Sequence, residues 1–234
     1  MVKILDCTTR DGGHQTNWEF DDEYVYDLIT RLNQQGVTYY EIGYRNFKEK
    51  EGKGRFFCCS PEFLKRFQYK KGNLKIGIMV DCSRFSYKDF PGKNKDYTDF
   101  VRIACHPDKI EQTINIANEL FVIGYKIFIQ LMEIPNVKEK EYKILENWGN
   151  KDILESLYIA DSYSTVRPEQ LKVFFNRLRI AGYENISFHA HNKSGYALEN
   201  TIEAMKLGAY SIDITQNGLG ENLNSEEFFK FFNN

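Results

Sequence analysis

The sequence predicts an α/β protein built as a single-domain (β/α)₈ barrel, a TIM barrel, over residues 1–234. Eight short runs rich in β-branched and aromatic residues alternate with longer segments of helical periodicity. Glycines follow several of the helical segments directly, and a chain of 234 residues has the length of one such barrel. Because strict alternation favours parallel strands joined by helical crossovers, eight units favour closure of the sheet.

The apolar runs are short enough to be strands and are bounded by turn-forming residues. The predicted strands are residues 2–7, 39–43, 74–80, 100–104, 126–131, 156–160, 186–191 and 211–215. The predicted helices are residues 21–35, 61–67, 108–123, 139–147, 168–181, 196–207 and 225–232. A third βα unit also requires a helix, which we expect within residues 86–99 although Pro91 and Gly92 interrupt that segment.

Glycine and proline mark the ends of these helices. A left-handed residue is expected just after a helix, at Gly36, Gly124, Gly182 and Gly208. Proline is tolerated in the first turn, at Pro61, Pro107 and Pro168. The alternative fold, a doubly wound open sheet, would place a glycine-rich phosphate loop after the first strand. That position reads D-C-T-T-R-D-G-G-H over residues 6–14, so the barrel is favoured.

Composition excludes several classes of function. The net charge of −2 lacks the basic excess of a nucleic-acid-binding protein. No run approaches the ~18 apolar residues of a membrane span, and the N-terminus does not read as a signal peptide. The five cysteines form an odd set without paired spacing, so we expect reduced thiols in a cytoplasmic protein. Cys105 beside His106 is the single hint of a catalytic cysteine, and it is weak.

Polar residues cluster at the predicted strand ends, where barrels carry their chemistry. His189 and His191 are two apart on a strand and therefore face the same side. With Asp11 after the first strand they would form a two-imidazole, one-carboxylate set that suits Mn²⁺, Mg²⁺, Co²⁺ or Zn²⁺. The alternatives are solvated histidines at a strand end and an Asp-Gly turn at Asp11.

Further polar residues at strand ends are candidates for contacts with substrate. They are Arg10, His14, Glu41, Arg45, Arg102, Ser162 and Asn217. Arg10 could instead pair with Glu41 in the barrel mouth, and Ser162 could only cap a turn. The Lys-rich loop over residues 46–55 could bind an anionic acceptor. Glu49 and Glu51 alternate with its basic residues, however, and favour a solvated loop.

These stretches resemble the DRE-TIM metallolyase superfamily, which includes HMG-CoA lyase-like proteins. The resemblance is carried by L-D-C-T-T-R-D-G-G-H (5–14), E-I-G (41–43), A-D-S (160–162), H-A-H-N-K-S-G-Y-A-L-E-N (189–200), G-A-Y-S-I-D (208–213) and N-G-L-G (217–220). His14, three residues after Asp11, is similar to the pyruvate aldolase branch. The pattern D-G-G-H-x-T-N-W followed by E-I-G-Y-R is similar to 4-hydroxy-2-oxovalerate aldolase-like proteins encoded with surface-polysaccharide genes.

The resemblance implies a divalent-metal-dependent lyase that adds pyruvate to a short aldehyde. Asp11, His189 and His191 would hold the metal, with Mn²⁺ preferred. Arg10 would stabilise the enolate, His14 would transfer a proton, and Ser162 would bind the keto acid carboxylate. The resemblance also implies small-molecule substrates and a homo-oligomer. The rival interpretations are an acyl-CoA-dependent enzyme of the same superfamily and a non-catalytic barrel subunit.

The sequence departs from the family pattern at several places. Thr9 stands where leucine is usual, and Ser164 replaces a glycine. The glycine-rich run after the last strand is shortened to G-L-G-E-N-L-N, which leaves open whether Asn222 or Asn224 replaces the family asparagine. No segment corresponds to the domain with which the long aldolases dock a dehydrogenase, so no channelling to such a partner is expected.

Overall fold

The computed structural model describes residues 2–232 and shows a closed barrel of parallel strands in the order β1 to β8. The strands are β1 Lys3–Asp6, β2 Tyr39–Tyr44, β3 Lys75–Asp81, β4 Phe100–Cys105, β5 Lys126–Leu131, β6 Leu154–Asp161, β7 Ile186–Ala190 and β8 Ser211–Ile214. The predicted TIM barrel is therefore confirmed, and each strand lies where its apolar run predicts, within two residues at either end.

Nine α-helices connect or follow the strands within the described part of the chain. They are α1 Thr8–Asp11, α2 Gly13–Thr16, α3 Asp22–Gln34, α4 Pro61–Lys65, α5 Ile110–Val122, α6 Glu139–Asn147, α7 Pro168–Ile180, α8 Ala197–Lys206 and α9 Ser225–Phe232. The four glycines predicted to end helices all have positive φ, between 71° and 94°. Pro61 and Pro168 each occupy the first helical position, as predicted.

The prediction of a helix between β3 and β4 was wrong. Over residues 82–99, all of which the structure describes, the chain forms two 3₁₀ turns, Tyr87–Asp89 and Lys93–Lys95, and no α-helix. Pro91 has no backbone N–H to donate, and Gly92 adopts φ 90°, which an α-helix excludes. The third unit of the barrel is therefore closed by an irregular connection.

The barrel interior is divided into an apolar layer and a charged layer. Alternate residues of each strand point inward, so Phe100 and Arg102 on β4 share the interior, as do Phe128 and Gln130 on β5. The apolar layer is formed by Leu5, Cys7, Tyr39, Phe100, Phe128 and Tyr158. The charged residues lie one step closer to the carboxyl ends of the strands, so the apolar layer is the floor beneath them. A larger apolar core fills the space between strands and helices.

No helix among the described residues has both the length and the apolar character that crossing a membrane would require.

Candidate active site at the barrel mouth

The R-D-G-G-H segment folds as two short helical turns directly after β1. The Asp6 carboxylate accepts hydrogen bonds from the backbone N–H and the hydroxyl of Thr8, both at 2.9 Å, and so turns the chain into α1. Arg10 and Asp11 lie on α1, and His14 lies on α2. The functional residues predicted at the end of β1 are thus held by helical hydrogen bonds instead of an open loop.

Close packing against Trp18 explains one of the two glycines. A Cβ atom on Gly13 would lie 2.1 Å from the Trp18 ring, which no side chain could tolerate. The Trp18 indole N–H donates to the carbonyl oxygen of Arg10 at 2.9 Å. The glycine therefore lets the tryptophan pack against the α1–α2 corner and fix the backbone that carries Arg10.

Asp11, His189 and His191 converge on one point, as the sequence predicts. The Nε2 atoms of the two imidazoles lie 3.3 Å apart, and Nε2 of His189 lies 3.4 Å from Oδ2 of Asp11. Two ligand atoms that are each ~2.1 Å from a cation are separated by about 3.0–3.4 Å in octahedral or tetrahedral geometry. All three ligand atoms lie within 4.8 Å of one another, so the three groups could share a divalent metal ion.

The two imidazoles differ in the direction of their pKa shifts. Burial, followed by the neighbouring charge of His189, lowers the pKa of His191 to about 4. His189 donates from Nδ1 to Oδ2 of Asp213 at 2.8 Å, and although burial opposes the charge, Asp11 and Asp213 raise its pKa, so a bound metal ion would take the place of the Nε2 proton that faces Asp11. Burial opposes ionisation of Asp11, but Arg10 and His189 outweigh it and hold its pKa well below the usual range.

A closed ring of charged side chains supports this site from below. Asp11 contacts Nη1 of Arg10 at 2.6 Å, and Nε of Arg10 contacts Glu41 at 2.5 Å. Arg102 donates to both oxygens of Glu41 at 2.6 and 2.7 Å and to Asp213 at 2.6 Å. Asp213 contacts His189, and His189 in turn contacts Asp11, which closes the ring. Every buried charge in the ring thus has an opposite charge beside it, as burial demands.

Glu41 and Arg102 were predicted to bind substrate, and the structure corrects both. Neither side chain lines the cavity at the barrel mouth, and both are fully buried. They lie under the site and hold Arg10 and Asp213 in place. The alternative given for Arg10, an ion pair with Glu41, is present, but the same guanidinium also contacts Asp11 and lines the cavity.

Arg45 was also predicted to bind substrate, but it does not line the cavity. Its guanidinium points away from the barrel mouth, donates to the backbone oxygen of Cys59 at 2.8 Å and forms a two-armed pair with Asp96. Burial opposes ionisation of Asp96, but Arg45 outweighs it and lowers the pKa of that carboxyl. Arg45 therefore anchors the irregular β3–β4 connection.

Asn222, and neither Asn217 nor Asn224, takes the position beside the metal-ligand set. The Asn222 amide lies 2.5 Å from Oδ2 of Asp11, and its backbone pairs with His191 in an antiparallel bridge. Asn217 is exposed and lies outside the cavity, which corrects its assignment as a substrate-binding residue. Asn224 caps α9 by accepting from the backbone N–H of Glu226.

A cavity of about 590 Å³ opens above these residues. Its lining includes Arg10, Asp11, His14, Trp18, Tyr44, Met79, Asp81, Arg84, His106, Gln130, Ser162, His189 and His191. Within residues 2–232, two buried atoms on this lining have no hydrogen-bond partner, Nη2 of Arg10 and Oε1 of Gln130. Buried polar atoms are almost always paired, so one unused donor and one unused acceptor indicate a polar ligand.

His14 and Ser162 both line the cavity. The His14 ring packs edge-on against Trp18 with ring centroids 4.7 Å apart, and burial lowers its pKa, so it is neutral near pH 7. The Ser162 hydroxyl accepts from the backbone N–H of Glu133 at 3.0 Å. Its own proton therefore remains available to a ligand. Among the described residues, neither side chain is engaged by the charged ring.

Asp213, Gln130 and Asn222 are the site residues that sequence reasoning missed or left open. For Asp213 and Gln130, the sequence contained a signal that could have predicted their position. Asp213 is two residues after inward-facing Ser211, and Gln130 is two residues after Phe128, so alternation alone places both side chains inside the barrel. A buried carboxylate or amide near a strand end is then a candidate for the site.

The fold and the site together define a TIM barrel with a candidate metal centre and acid–base groups at its carboxyl end. The profile of the HMGL-like family matches residues 135–225. The 4-hydroxy-2-oxovalerate aldolase of Carboxydothermus hydrogenoformans is 28% identical over 226 residues, and the oxaloacetate decarboxylase of Mycobacterium tuberculosis is 26% identical over 221 residues. The alignments cover 94% and 93% of this chain, but 66% and 65% of those relatives.

A solved structure agrees with these matches. The N-terminal domain of a Bacteroides vulgatus protein, provisionally described as an aldolase, superposes with a TM-score of 0.84 at 28% identity. The superposition covers 99% of this chain and 79% of that one. The comparisons confirm the resemblance to the HMG-CoA lyase-like superfamily that the sequence motifs predict. The chain spans just under two thirds of the length of the curated relatives that it matches.

Proposed function

We propose that this protein is a divalent-metal-dependent carbon–carbon lyase that joins pyruvate to an aldehyde and cleaves the resulting 4-hydroxy-2-oxo acid. The observation that carries the proposal is the convergence of Asp11, His189 and His191 beside the unpartnered Nη2 atom of Arg10. Relatives named as an aldolase and as a decarboxylase both support lyase chemistry at such a site.

Asp11, His189 and His191 would hold the cation, and Mn²⁺ is the ion we expect, with Mg²⁺, Co²⁺ and Zn²⁺ as the alternatives. A bound divalent cation supplies Lewis acidity for the keto acid as its enolate forms. The set mixes borderline nitrogen ligands with a hard carboxylate, which these ions accept. Asp213 and Asn222 would orient His189 and Asp11 for that purpose.

The residues of the chain have separate tasks in the cleavage direction. His14, neutral near pH 7, takes the proton of the 4-hydroxyl group while the bond between carbons 3 and 4 breaks. The electron pair of that bond passes into the enolate, whose oxygen accepts a hydrogen bond from Nη2 of Arg10. Ser162 donates its free hydroxyl proton to the carboxylate of the keto acid. Solvent then protonates the enolate carbon to give pyruvate, and His14 returns its proton to solvent.

Deuterium exchange tests the proposal at its first step. Pyruvate incubated with the protein in D₂O should lose its methyl protons only when Mn²⁺ is present, as measured by mass spectrometry. Asp11→Asn should abolish the exchange. Cleavage of 4-hydroxy-2-oxovalerate, followed through pyruvate release, should fall by ~10²–10⁴-fold in His14→Asn. Tight Mn²⁺ binding with neither exchange nor cleavage would mean a non-catalytic barrel, and thiol release from acetyl-CoA would favour the acyl-CoA alternative.

A second candidate is decarboxylation of oxaloacetate, favoured by the Mycobacterium tuberculosis relative. Loss of carbon dioxide from oxaloacetate leaves the same enolate and needs no proton transfer at an aldehyde oxygen. His14→Asn should therefore separate the two activities, because it removes aldol cleavage and spares decarboxylation. A role in capsule or lipopolysaccharide sugar synthesis, a cytoplasmic location and a homo-oligomeric state stay predictions from the sequence.

A further inference from the structure

The wall of the cavity opposite the candidate metal centre is built by the ends of β3, β4 and β5 and the loops after them. Met79, Asp81 and Arg84 come from the third unit, His106 from the fourth and Gln130 from the fifth. The cavity of about 590 Å³ has room for roughly twenty waters at ~30 Å³ each. Pyruvate and a two-carbon aldehyde would leave most of that space to solvent, so a larger acceptor fits it better.

Arg84 is the cation on this wall, and it is only loosely held. Its Nε lies 3.0 Å from Oε2 of Glu49, on the loop that follows β2. The side chains of Arg84 and Glu49 are 43% and 58% exposed, and ion pairs this exposed contribute little to stability. A stronger anion inside the cavity can therefore replace the Glu49 carboxylate at little cost. Arginine is suited to this exchange, because its planar fork binds carboxylate and phosphate with two hydrogen bonds.

A second cation lies near the cavity, on the side of Trp18. Lys53 extends over the Trp18 ring, with Nζ 5.3 Å from the ring centroid, and Trp18 lines the cavity. Burial lowers the pKa of His14, the charge of Asp11 raises it, and the charges of Arg10, Lys53 and Arg84 lower it further. Both cations are thus close enough to act on the residue that faces the aldehyde oxygen in the proposed reaction.

Besides Asp11, two carboxylates line the cavity, and among the described residues neither forms an ion pair with Arg84. Oδ1 of Asp81 accepts from the backbone N–H of Ser83 at 2.8 Å, so one of its two oxygens is engaged by its own loop. Glu221 follows β8, on the side of the mouth that carries the metal-ligand set. In the part of the chain that the structure describes, Arg84 therefore has no carboxylate partner on the cavity lining, and its ion-pair partner is Glu49.

We propose that the acceptor is an aldehyde bearing an anionic group, a carboxylate or a phosphate, which Arg84 binds in place of Glu49. This inference rests on the proposed function, because it assumes that the aldehyde carbonyl lies beside His14. It makes Arg84 the residue that determines the acceptor class, and it makes Glu49 an internal competitor of the substrate.

Matched aldehyde pairs test the inference with pyruvate as donor and Mn²⁺ as metal. Succinic semialdehyde is compared with butyraldehyde, and glyceraldehyde 3-phosphate with glyceraldehyde, so that the two arms distinguish carboxylate from phosphate. In the wild type, kcat/KM should favour the anionic member of at least one pair by about tenfold or more, as expected for a charge-assisted contact. The preference should shrink at high salt.

Variants then assign the preference to Arg84. Arg84→Met should reduce the ratio of anionic to neutral kcat/KM by about ten- to a hundredfold, mainly through KM. Arg66→Met is the matched control, because Arg66 is 40% exposed, pairs with Asp22 and lies outside the cavity. It should leave the ratio unchanged. Glu49→Gln should raise the ratio, whereas Glu139→Gln, which breaks the exposed pair with Arg177, should not.

Three outcomes would overturn the inference. They are a wild-type preference for the neutral aldehydes, an equal loss on both members of a pair in Arg84→Met, and no reaction with any of the four aldehydes while pyruvate still exchanges its protons. In each of these cases the enolate chemistry of the proposed function would stand. Failure of the metal-dependent proton exchange itself would instead reject the proposed function.

Discussion

The Oδ2 atom of Asp213 accepts hydrogen bonds from Nδ1 of His189 at 2.8 Å and from Nη1 of Arg102 at 2.6 Å. The bond from His189 fixes the tautomer and the orientation of its imidazole. The bond from Arg102 holds the Asp213 carboxylate in position. Partners of this kind behind a metal-ligating histidine raise its basicity and orient its free nitrogen. Asp213 is thus a positioning residue for the candidate metal centre, although it does not face the cavity.

Replacing Asp213 with asparagine should weaken Mn²⁺ binding by about 10- to 100-fold, because the histidine loses its charged partner. Isothermal titration calorimetry on the metal-free protein measures the affinity, and thermal unfolding measures the accompanying loss of stability. Asp96→Asn is the matched control, since it disrupts an equally buried carboxylate–arginine pair with Arg45 far from the site. An equal loss of affinity in both variants would show that Asp213 acts through general stability alone.

Gln130→Leu should stabilise the fold while lowering the activity of the protein. Gln130 is 1% exposed, and no described residue donates to its Oε1 atom. Leaving a buried carbonyl unpaired costs about 1–3 kcal/mol, so a leucine of similar size should raise the free energy of unfolding by about 1 kcal/mol and Tm by about 2–4 °C. The kcat/KM for aldol cleavage should fall, because the ligand loses an acceptor.

Gln216→Leu is the control for that experiment. Gln216 is also buried, but its amide donates to Asp6 at 3.3 Å, so its removal leaves Asp6 less satisfied and should lower Tm. A Gln130→Leu protein that is less stable and fully active would refute the assignment of its amide to a bound ligand.

Ser164 occupies a backbone conformation that favours glycine, with φ 57°. Its hydroxyl donates to the backbone oxygen of His191 at 2.9 Å and accepts from the N–H of Ser194 at 3.0 Å. Ser164→Ala keeps the strain and loses these bonds, so the free energy of unfolding should fall by about 1–2 kcal/mol. Ser164→Gly relieves the strain and should remain within about 1 kcal/mol of the wild type. Chemical denaturation that ranks glycine below alanine would contradict this account.

Residues whose environment is set locally were predictable. Strand positions follow from alternation within one segment, and His189 and His191 share a face because they are two apart on one strand. Asp11 meets them because all parallel strands have their carboxyl ends at the same end of the barrel, and β1 and β7 lie on either side of β8. The irregular β3–β4 connection was missed because the signal of Pro91 and Gly92 was outweighed by the expectation of regular repetition.

Residues whose role depends on distant partners were not predictable. Glu41 and Arg102 are charged residues of the kind found in binding sites. Only the register of the barrel strands shows that they form an ion pair with each other beneath the cavity. The positions of Asn217 and Asn222 were not predictable for a related reason. Positive φ angles at Asn217, Gly218 and Gly220 reverse the chain, and the reversal brings Asn222 back to Asp11. No local sequence pattern predicts which residue this reversed segment places beside Asp11.

At the opposite end of the barrel, Glu155 joins the first and last strands to β6. Its carboxylate accepts hydrogen bonds from the hydroxyls of Tyr210 and Tyr39, the latter at 3.0 Å, and lies 3.3 Å from Nζ of Lys3. Burial opposes ionisation, but these partners outweigh it and lower the pKa of Glu155 from 4.5 to about 2. The carboxylate should therefore stabilise the closed barrel by on the order of 2 kcal/mol at neutral pH.

The sign of this contribution sets its dependence on pH. Because the pKa is lower in the folded state, the stabilisation is complete above pH 4.5 and is lost as the pH falls towards 2. The difference in Tm between the wild type and Glu155→Gln should thus be large at pH 6 and shrink steadily by pH 3.5. Glu203→Gln, which breaks a surface pair with Lys206, should show a small difference at both values. A Glu155→Gln difference that stays constant across this range would mean that the tyrosine contacts stabilise the barrel without the charge.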